Sequence, residues 1–335
     1  MVKFGLSLPN CGEGLIYPPP FADQADLMRL GREGEGLGFF SLWANDHVTT
    51  QDYVRRAFPN PPNYFEPLIT LTFLAAQTHR AKLATGIIVL PLRDPIILGK
   101  QVAALDLLSG GRLILGVGLG AYREEFQRMF PRIPPKDRPV LLEESIQALR
   151  LLLSEKVATF EGRYIRFKEI ELSPKPMQPR VPIYIGGNSE EGLRRVVKWG
   201  DGWFPAMQSP DEVAASIAKL RELCSEFGRA LSQIDIVPEL TVCMAESKAK
   251  AMSNFRESFL FQHVMSLQHS TLKNLEGRYE GRMLVGSADE IINSIQQYID
   301  AGVTHFGSLI FPAGTVDQFS SSVNEFAKAV MPSFA

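Results

Sequence analysis

Short β-rich runs recur along the 335-residue chain, and most are apolar without interruption. They read KFGLSL (3–8), FFSLW (39–43), KLATGIIVL (82–90), RLILGVG (112–118), PIYIGG (182–187), GWFP (202–205), DIVPELTVCM (235–244) and HFGSLIF (305–311). A strand with one wet face alternates apolar and polar residues. A strand covered on both faces does not, and such strands belong to parallel sheets flanked by helices. The intervening segments supply those helices. In SADEIINSIQQYIDA (287–301), Ser287 and Glu290 form a capping box, Ile291, Ile292, Ile295, Tyr298 and Ile299 share one face, and Gly302 supplies the stop. Segment 139–153 behaves alike, with Pro139 at its start and Leu141, Leu142, Ile146, Leu149 and Leu153 in a stripe. Eight strands alternating with helices predict a closed (β/α)8 barrel, a TIM barrel, with a doubly wound open sheet as the alternative.

Three stretches exceed ordinary connections: 44–66, rich in Pro, Asn and Tyr; 157–181, with EGRYIRF and PKPMQP; and 247–284, helical and polar. Long βα loops of a barrel shape the ligand site or its cover. Without a linker or low-complexity tract, residues 1–335 are expected to form a single domain. The formal net charge is −2 and no Lys/Arg cluster stands out, which argues against a nucleic-acid or membrane partner. Cys11, Cys224 and Cys243 are too scattered for a disulfide framework or a metal site. With no signal peptide in MVKFGLSLPN and no apolar window of membrane length, the expected location is cytoplasmic.

Barrel sites sit at the carboxyl ends of the strands. There the chain places Asp46-His47, Thr85-Gly86, GVGLG (116–120) and GGNS (186–189). His47 at a pocket would give or take a proton, with Asp46 fixing its tautomer or binding ring or backbone donors; a structural pair at a loop mouth is the plainer alternative. GVGLG lacks dinucleotide-fingerprint spacing and reads equally as a tight strand exit or as room for a flat ring. In GGNS, Ser189 is placed to cap the next helix, whose free N–H groups suit a phosphate, although Glu190 and Glu191 oppose an anion. The remaining histidines, His79, His263, His269 and His305, form no cluster, and no metal site is expected.

Taken in order, KFGLSLPN (3–10), GLGFFSLWANDH (36–47), LATGIIVLPLRDPIILGKQVAALDLLSGGRLILGVGLGAYREEF (83–126), PIYIGGNSEEGLRRVVKWGDGWFP (182–205) and MLVGSADEIINSIQQYIDAGVTHF (283–306) closely resemble the luciferase-like family of flavin- and deazaflavin-dependent oxidoreductases. The most specific portion is LDLLSGGR (105–112) with the GxGxG run and the following Glu125. The resemblance implies a TIM barrel with the flavin or deazaflavin ring across the strand ends. It makes Asp46 and His47 the catalytic pair, the histidine lying near the reacting ring face. Gly86-Ile87 matches a strand-three bulge, often a non-prolyl cis peptide, that supports the ring, with Thr85 beside the ring's polar edge. Gly186, Gly187 and Asn188 match the phosphate turn, and Ser7, Gly118, Gly120 and Ser189 complete the implied cofactor set.

Two positions depart from the pattern. Leu119 stands where FMN-binding members carry a phosphate arginine, and Ala121 where the sugar-phosphate dehydrogenase branch carries a catalytic glutamate. The Pro-rich 44–66 loop and LRDPIILGKQVAALDLLSGGR look most like members that use coenzyme F420, so F420 is the expected cofactor and FMN the alternative. The implied reaction is hydride transfer between F420 and a small organic substrate. Oxygenation by reduced FMN and O₂ is the alternative, and a barrel that only binds flavin or a partner lies outside that class. Tyr53, Phe58, Tyr64, Phe65, Trp203, Phe204 and Phe261 suggest a largely apolar substrate under a movable cover, or ordinary loop packing. The resemblance further implies a homodimer through outer helices.

Overall fold

The structure is a computed structural model that describes residues 2–267 and 278–335. The strands are β1 (Lys3–Ser7), β2 (Ser41–Ala44), β3 (Lys82–Thr85), β4 (Ile88–Val89), β5 (Leu113–Gly118), β6 (Ala158–Glu161), β7 (Arg166–Ile170), β8 (Ile183–Gly186), β9 (Gly202–Phe204), β10 (Asp235–Ile236), β11 (Leu240–Met244), β12 (Leu284–Gly286) and β13 (His305–Ile310). All but the β6–β7 hairpin are parallel and run side by side as β10-β9-β8-β5-β3-β2-β1-β13-β11-β12, with β4 against β5.

β10 and β11 are two halves of the run read as strand seven. The first half pairs with β9 and the second with β13, so the ring closes through residues 235–244. Main-chain bonds hold the break between the halves: Val237 N–H to Trp203 O, Glu239 N–H to Pro205 O and Gly307 N–H to Pro238 O. The open doubly wound sheet is thereby excluded.

Around the ring lie α1 (Gln24–Gly36), α2 (Asp52–Ala57), α3 (Pro67–Ala75), α4 (Pro95–Leu108), α5 (Arg123–Met129), α6 (Arg138–Ser154), α7 (Glu190–Trp199), α8 (Pro210–Glu226), α9 (Lys248–Glu257), α10 (Phe259–Ser266), α11 (Ala288–Ala301) and α12 (Val316–Ala329). Sequence signals explain their ends. Asp23, Ser209 and Ser287 each form a capping box, and Gly302 takes the left-handed conformation that closes α11. The strands read as apolar throughout because both of their faces are covered. Leu83, Leu113, Leu115, Ile183 and Ile185 pack in the main core with the helices. Their neighbours Ala84, Ile114 and Tyr184 join Trp43, Phe204 and Val237 in a separate buried cluster.

Two of the three long stretches frame the site and one does not. Residues 157–181 fold into the β6–β7 hairpin, which α6 holds through Glu144, accepting from the N–H groups of Arg163, Tyr164 and Ile165. That hairpin takes no part in lining the main cavity. Residues 44–66 carry α2, and 247–284 carry α9, α10 and the start of β12, an added parallel strand beside β11 that the periodicity did not reveal. His269 lies outside the described residues.

Candidate active site

A cavity of about 750 Å³ opens at the carboxyl ends of the strands. Its floor is set by strand three. The chain leaves β3 at Thr85, passes a cis peptide between Gly86 and Ile87, and resumes as β4. A β-carbon at Gly86 would lie 3.0 Å from the Trp43 ring and 3.3 Å from Phe204, two rings stacked 4.9 Å apart. Glycine is therefore needed for the backbone to approach that pair. The GVGLG run makes the matching space on the other side. At Gly116 a β-carbon would meet Thr85 O at 1.9 Å, and at Gly118 it would meet the Ile87 side chain at 3.1 Å.

His47 follows β2 on the cavity wall. Its Nδ1 lies 2.9 Å from Gln51 Nε2 and 3.4 Å from Glu125 Oε2. Tyr64 O–H donates to Gln51 Oε1, which turns the amide nitrogen toward the histidine. Glu125 stands on α5, 78 residues away in the chain, and its other oxygen accepts from Val48 and Thr49 N–H. Burial works to raise the Glu125 carboxyl, but the His47 ring and those two N–H groups outweigh it and hold it below the ordinary carboxylate range. Asp46 turns away from His47. It accepts from Val89 N–H and from Arg93, which also binds Glu66, so it anchors the end of β4 and orients no imidazole. Asn10 clamps the loop behind the pair, donating to Asn45 O and Phe65 O while accepting from Asn45 N–H.

The expected cofactor set divides. Gly86, Ile87, Gly118, Gly120, Gly186, Gly187, Asn188 and Ser189 all line the cavity. Ser7 and Thr85 are buried and do not; the Thr85 hydroxyl donates to Gly116 O at 2.7 Å, so it joins neighbouring strands. In the GGNS turn Gly187 has φ 141°, and the Asn188 amide is engaged with both backbone groups of Ala206. Ser189 caps α7 by accepting from Gly192 N–H. Glu190 pairs outward with Arg194 and Lys219, leaving the turn to its backbone N–H groups.

Several residues of the site were not visible in the sequence. Arg138, at the start of α6, reaches the wall at Leu119 and Gly120, donating to both carbonyls. Burial, then the nearby Arg123, pull its guanidinium below the ordinary arginine value. Among the described residues neither arginine is paired with a carboxylate, leaving two cations beside the cavity. Over the mouth, His263 of α10 meets Tyr53 O–H at 3.1 Å and Tyr122 O–H at 3.0 Å, so the 44–66 loop, the start of α5 and the 247–284 stretch converge on one imidazole. Burial, then His47, bring His263 down to about 3 and keep it neutral. Of the aromatic residues expected around the substrate, Phe204 is on the wall. Trp203 is buried with its indole N–H on Gly187 O, and Phe261 packs on Phe255 and Tyr279.

Known proteins share this architecture. An F420-dependent glucose-6-phosphate dehydrogenase from Kineococcus radiotolerans is 28% identical over 318 residues, 90% of this chain and 90% of its own length. Among solved structures, a monooxygenase from Streptomyces bottropensis superposes with a TM-score of 0.82 at 21% identity, over 99% of this chain and 100% of that one. The oxygenating constituent of 3,6-diketocamphane monooxygenase from a Pseudomonas putida plasmid, solved with FMN, gives 0.75 at 18% identity over 100% and 99%. At such identities the two structures speak for the fold. The sequence profile described as luciferase-like monooxygenase matches residues 2–305, and on that match the chain belongs to the luciferase-like family of F420- or FMN-dependent oxidoreductases and monooxygenases.

Proposed function

We propose that this chain is a two-electron oxidoreductase that uses F420 to exchange a hydride with a small, largely apolar organic substrate, His47 managing the accompanying proton. The observation that carries this reading is the position of His47 Nδ1 between Gln51 Nε2 and Glu125 Oε2. Both partners sit on Nδ1, so the proton exchanged with a substrate is the one on Nε2, while Glu125 can accept Nδ1–H throughout. The ring keeps a partner in either state, as a group that gives and takes a proton within one cycle requires.

The cavity fits a ring-and-phosphate cofactor. Gly86 leaves a flat backbone shelf, Asn45 Oδ1 is buried beside it without a hydrogen-bond partner, and Arg138 and Arg123 stand where a phosphate would gain from them. Bound F420 would supply the hydride donor or acceptor. The chain supplies the shelf, the cations and the proton-handling histidine. The relative from K. radiotolerans supports the deazaflavin, while Ala121 on the cavity wall argues for a substrate other than a sugar phosphate. FMN-dependent oxygenation is the second reading, and Arg138 favours it, because it restores a cation beside Leu119.

Absorption spectra of the purified protein titrated with F420 and with FMN test the assignment. The expected result is F420 binding, weakened about tenfold or more in Arg138→Met. Binding of FMN alone, with substrate-dependent O₂ uptake, selects the second reading. Binding of neither leaves a barrel without redox function.

A further inference from the structure

Glu239, half-buried on the cavity wall, differs from the acids buried in the fold. The buried carboxylates Glu13, Asp46, Asp106, Glu125, Asp137 and Glu144 each accept from dedicated donors. Glu239 does not. It sits in the break between β10 and β11, where its own N–H donates to Pro205 O and its carbonyl accepts from Met207 N–H, so the backbone is held firmly. Among the described residues its side chain has no ion pair and accepts from no backbone N–H. The Ser308 hydroxyl of β13 faces it, itself buried and without a well-formed hydrogen bond. Glu239 lines both the main cavity and a small side cavity of about 40 Å³ walled by Leu260, Val264 and Ile310. A half-buried carboxyl that faces only one hydroxyl, on the wall of a ligand-sized cavity, has acceptor and donor capacity left for the ligand.

The chemistry of that partner follows from the floor. Gly86 approaches Phe204, Ala206 follows two residues later and bridges to Glu239, and all of them line one cavity, so a flat ring resting on Gly86 and Ile87 shares that cavity with Glu239. A protonated carboxyl is a donor and an acceptor side by side, the complement of an imide, which offers C=O and N–H side by side. We propose that Glu239 reads the imide edge of the flavin or deazaflavin ring, its O–H donating to a ring carbonyl and its C=O accepting the adjacent ring N–H. This deepens the function proposed above and rests on it. Burial, opposed by Ser308, lifts the carboxyl to about 7, so the protonated form is present near neutrality. The titratable groups nearby are His263, held neutral on α10, and His47 across the mouth. From the segment after β9 and from β11 and β13, Ala206, Met207, Thr241, Ser308 and Ile310 present nothing that titrates there.

Binding of FMN and of F420 to the wild type, Glu239→Gln and Glu239→Leu, measured from well below to well above pH 7, tests the proposal. In the wild type the dissociation constant should rise about tenfold as the carboxyl loses its proton. Glu239→Gln, whose amide donates at every pH, should bind both rings with no such rise. Glu239→Leu should bind weakly throughout, while its ligand-free form melts at a higher temperature because a half-buried acid without an ion pair is gone. A Glu239→Gln profile that tracks the wild type, or wild-type affinity in Glu239→Leu, overturns the role of Glu239 alone. Failure of the wild type to bind either ring overturns both this inference and the function it rests on.

Discussion

His47 and Glu125 meet across 78 residues, and that contact sets two expectations at the scale of single side chains. If His47 carries the proton, His47→Ala should keep the fold and cofactor affinity within about tenfold while turnover falls about 10²–10⁴-fold. Unchanged turnover across pH would retire it as acid or base. Glu125 bears on stability. Its carboxyl is held below its ordinary 4.5, so its charged form stabilises the fold at pH values above that, and the contribution is lost as pH falls through the lowered value. Glu125→Gln should therefore lose about 1–2 kcal/mol at neutral pH, with the gap to wild type closing on acidification. Denaturant titrations at neutral pH and at steps below 4.5 check this; a gap that stays constant would show the charge to be irrelevant. The Asp-His pair was legible because both residues sit at the end of one apolar run. Its working partner was not, because α5 and the loop after β2 are brought together by the barrel alone. Asp46 illustrates the converse. Adjacent in sequence to His47, it is bound by Arg93 and Val89 N–H, groups the sequence does not place beside it.

At the scale of elements, the strand-three bulge is built from glycines on separate strands. Gly86 clears Trp43 and Phe204, and Gly116 on β5 clears Thr85 O. Gly116→Ala places a methyl 1.9 Å from that carbonyl, so strand backbone must shift, at a cost of about 1–3 kcal/mol or more. Gly36→Ala, in the last turn of α1 with nothing within 4 Å, should be neutral or stabilising by about 0.4–1 kcal/mol. Equal losses of melting temperature in the two variants would show that the close approach is not what Gly116 provides. Continuous apolar strands and the Ser287–Glu290 capping box were read correctly from sequence because those patterns are local. The β6–β7 hairpin, the added strand β12 and the break at Glu239 escaped because each depends on which neighbour is available for pairing. Arg138 escaped for the same kind of reason. Its position in the sequence is that of an ordinary first-turn helix residue, and only the packing of α6 carries its head to Leu119.

The outer surface of the whole molecule carries one feature that the barrel does not explain. α3 (PLITLTFLA) has no charged residue, and α4 carries only Lys100 and Asp106, the latter buried against Gln178. Outer helices of a barrel ordinarily turn a polar face to water. Instead Ile69 and Phe73 on α3 are 56% and 62% exposed, and Ile97 and Leu108 on the adjoining α4 are 61% and 72% exposed. Isolated exposed apolar residues need no account, but large ones gathered on two packed helices mark an association surface. We propose that this patch on α3 and α4 is the interface of the homodimer that the family resemblance implies. A two-fold contact sets each residue of the patch near the same patch on the other copy, so one substitution acts twice. Phe73→Asp therefore buries a charge in both halves of the interface and should convert a dimer to a monomer in sedimentation equilibrium, without altering the far-ultraviolet circular dichroism. The same substitution lies on the outside of the barrel, away from the cavity-lining residues, so cofactor affinity should persist in the monomer. A wild type that sediments as a monomer, or a Phe73→Asp variant that remains dimeric, would remove α3 and α4 as the interface.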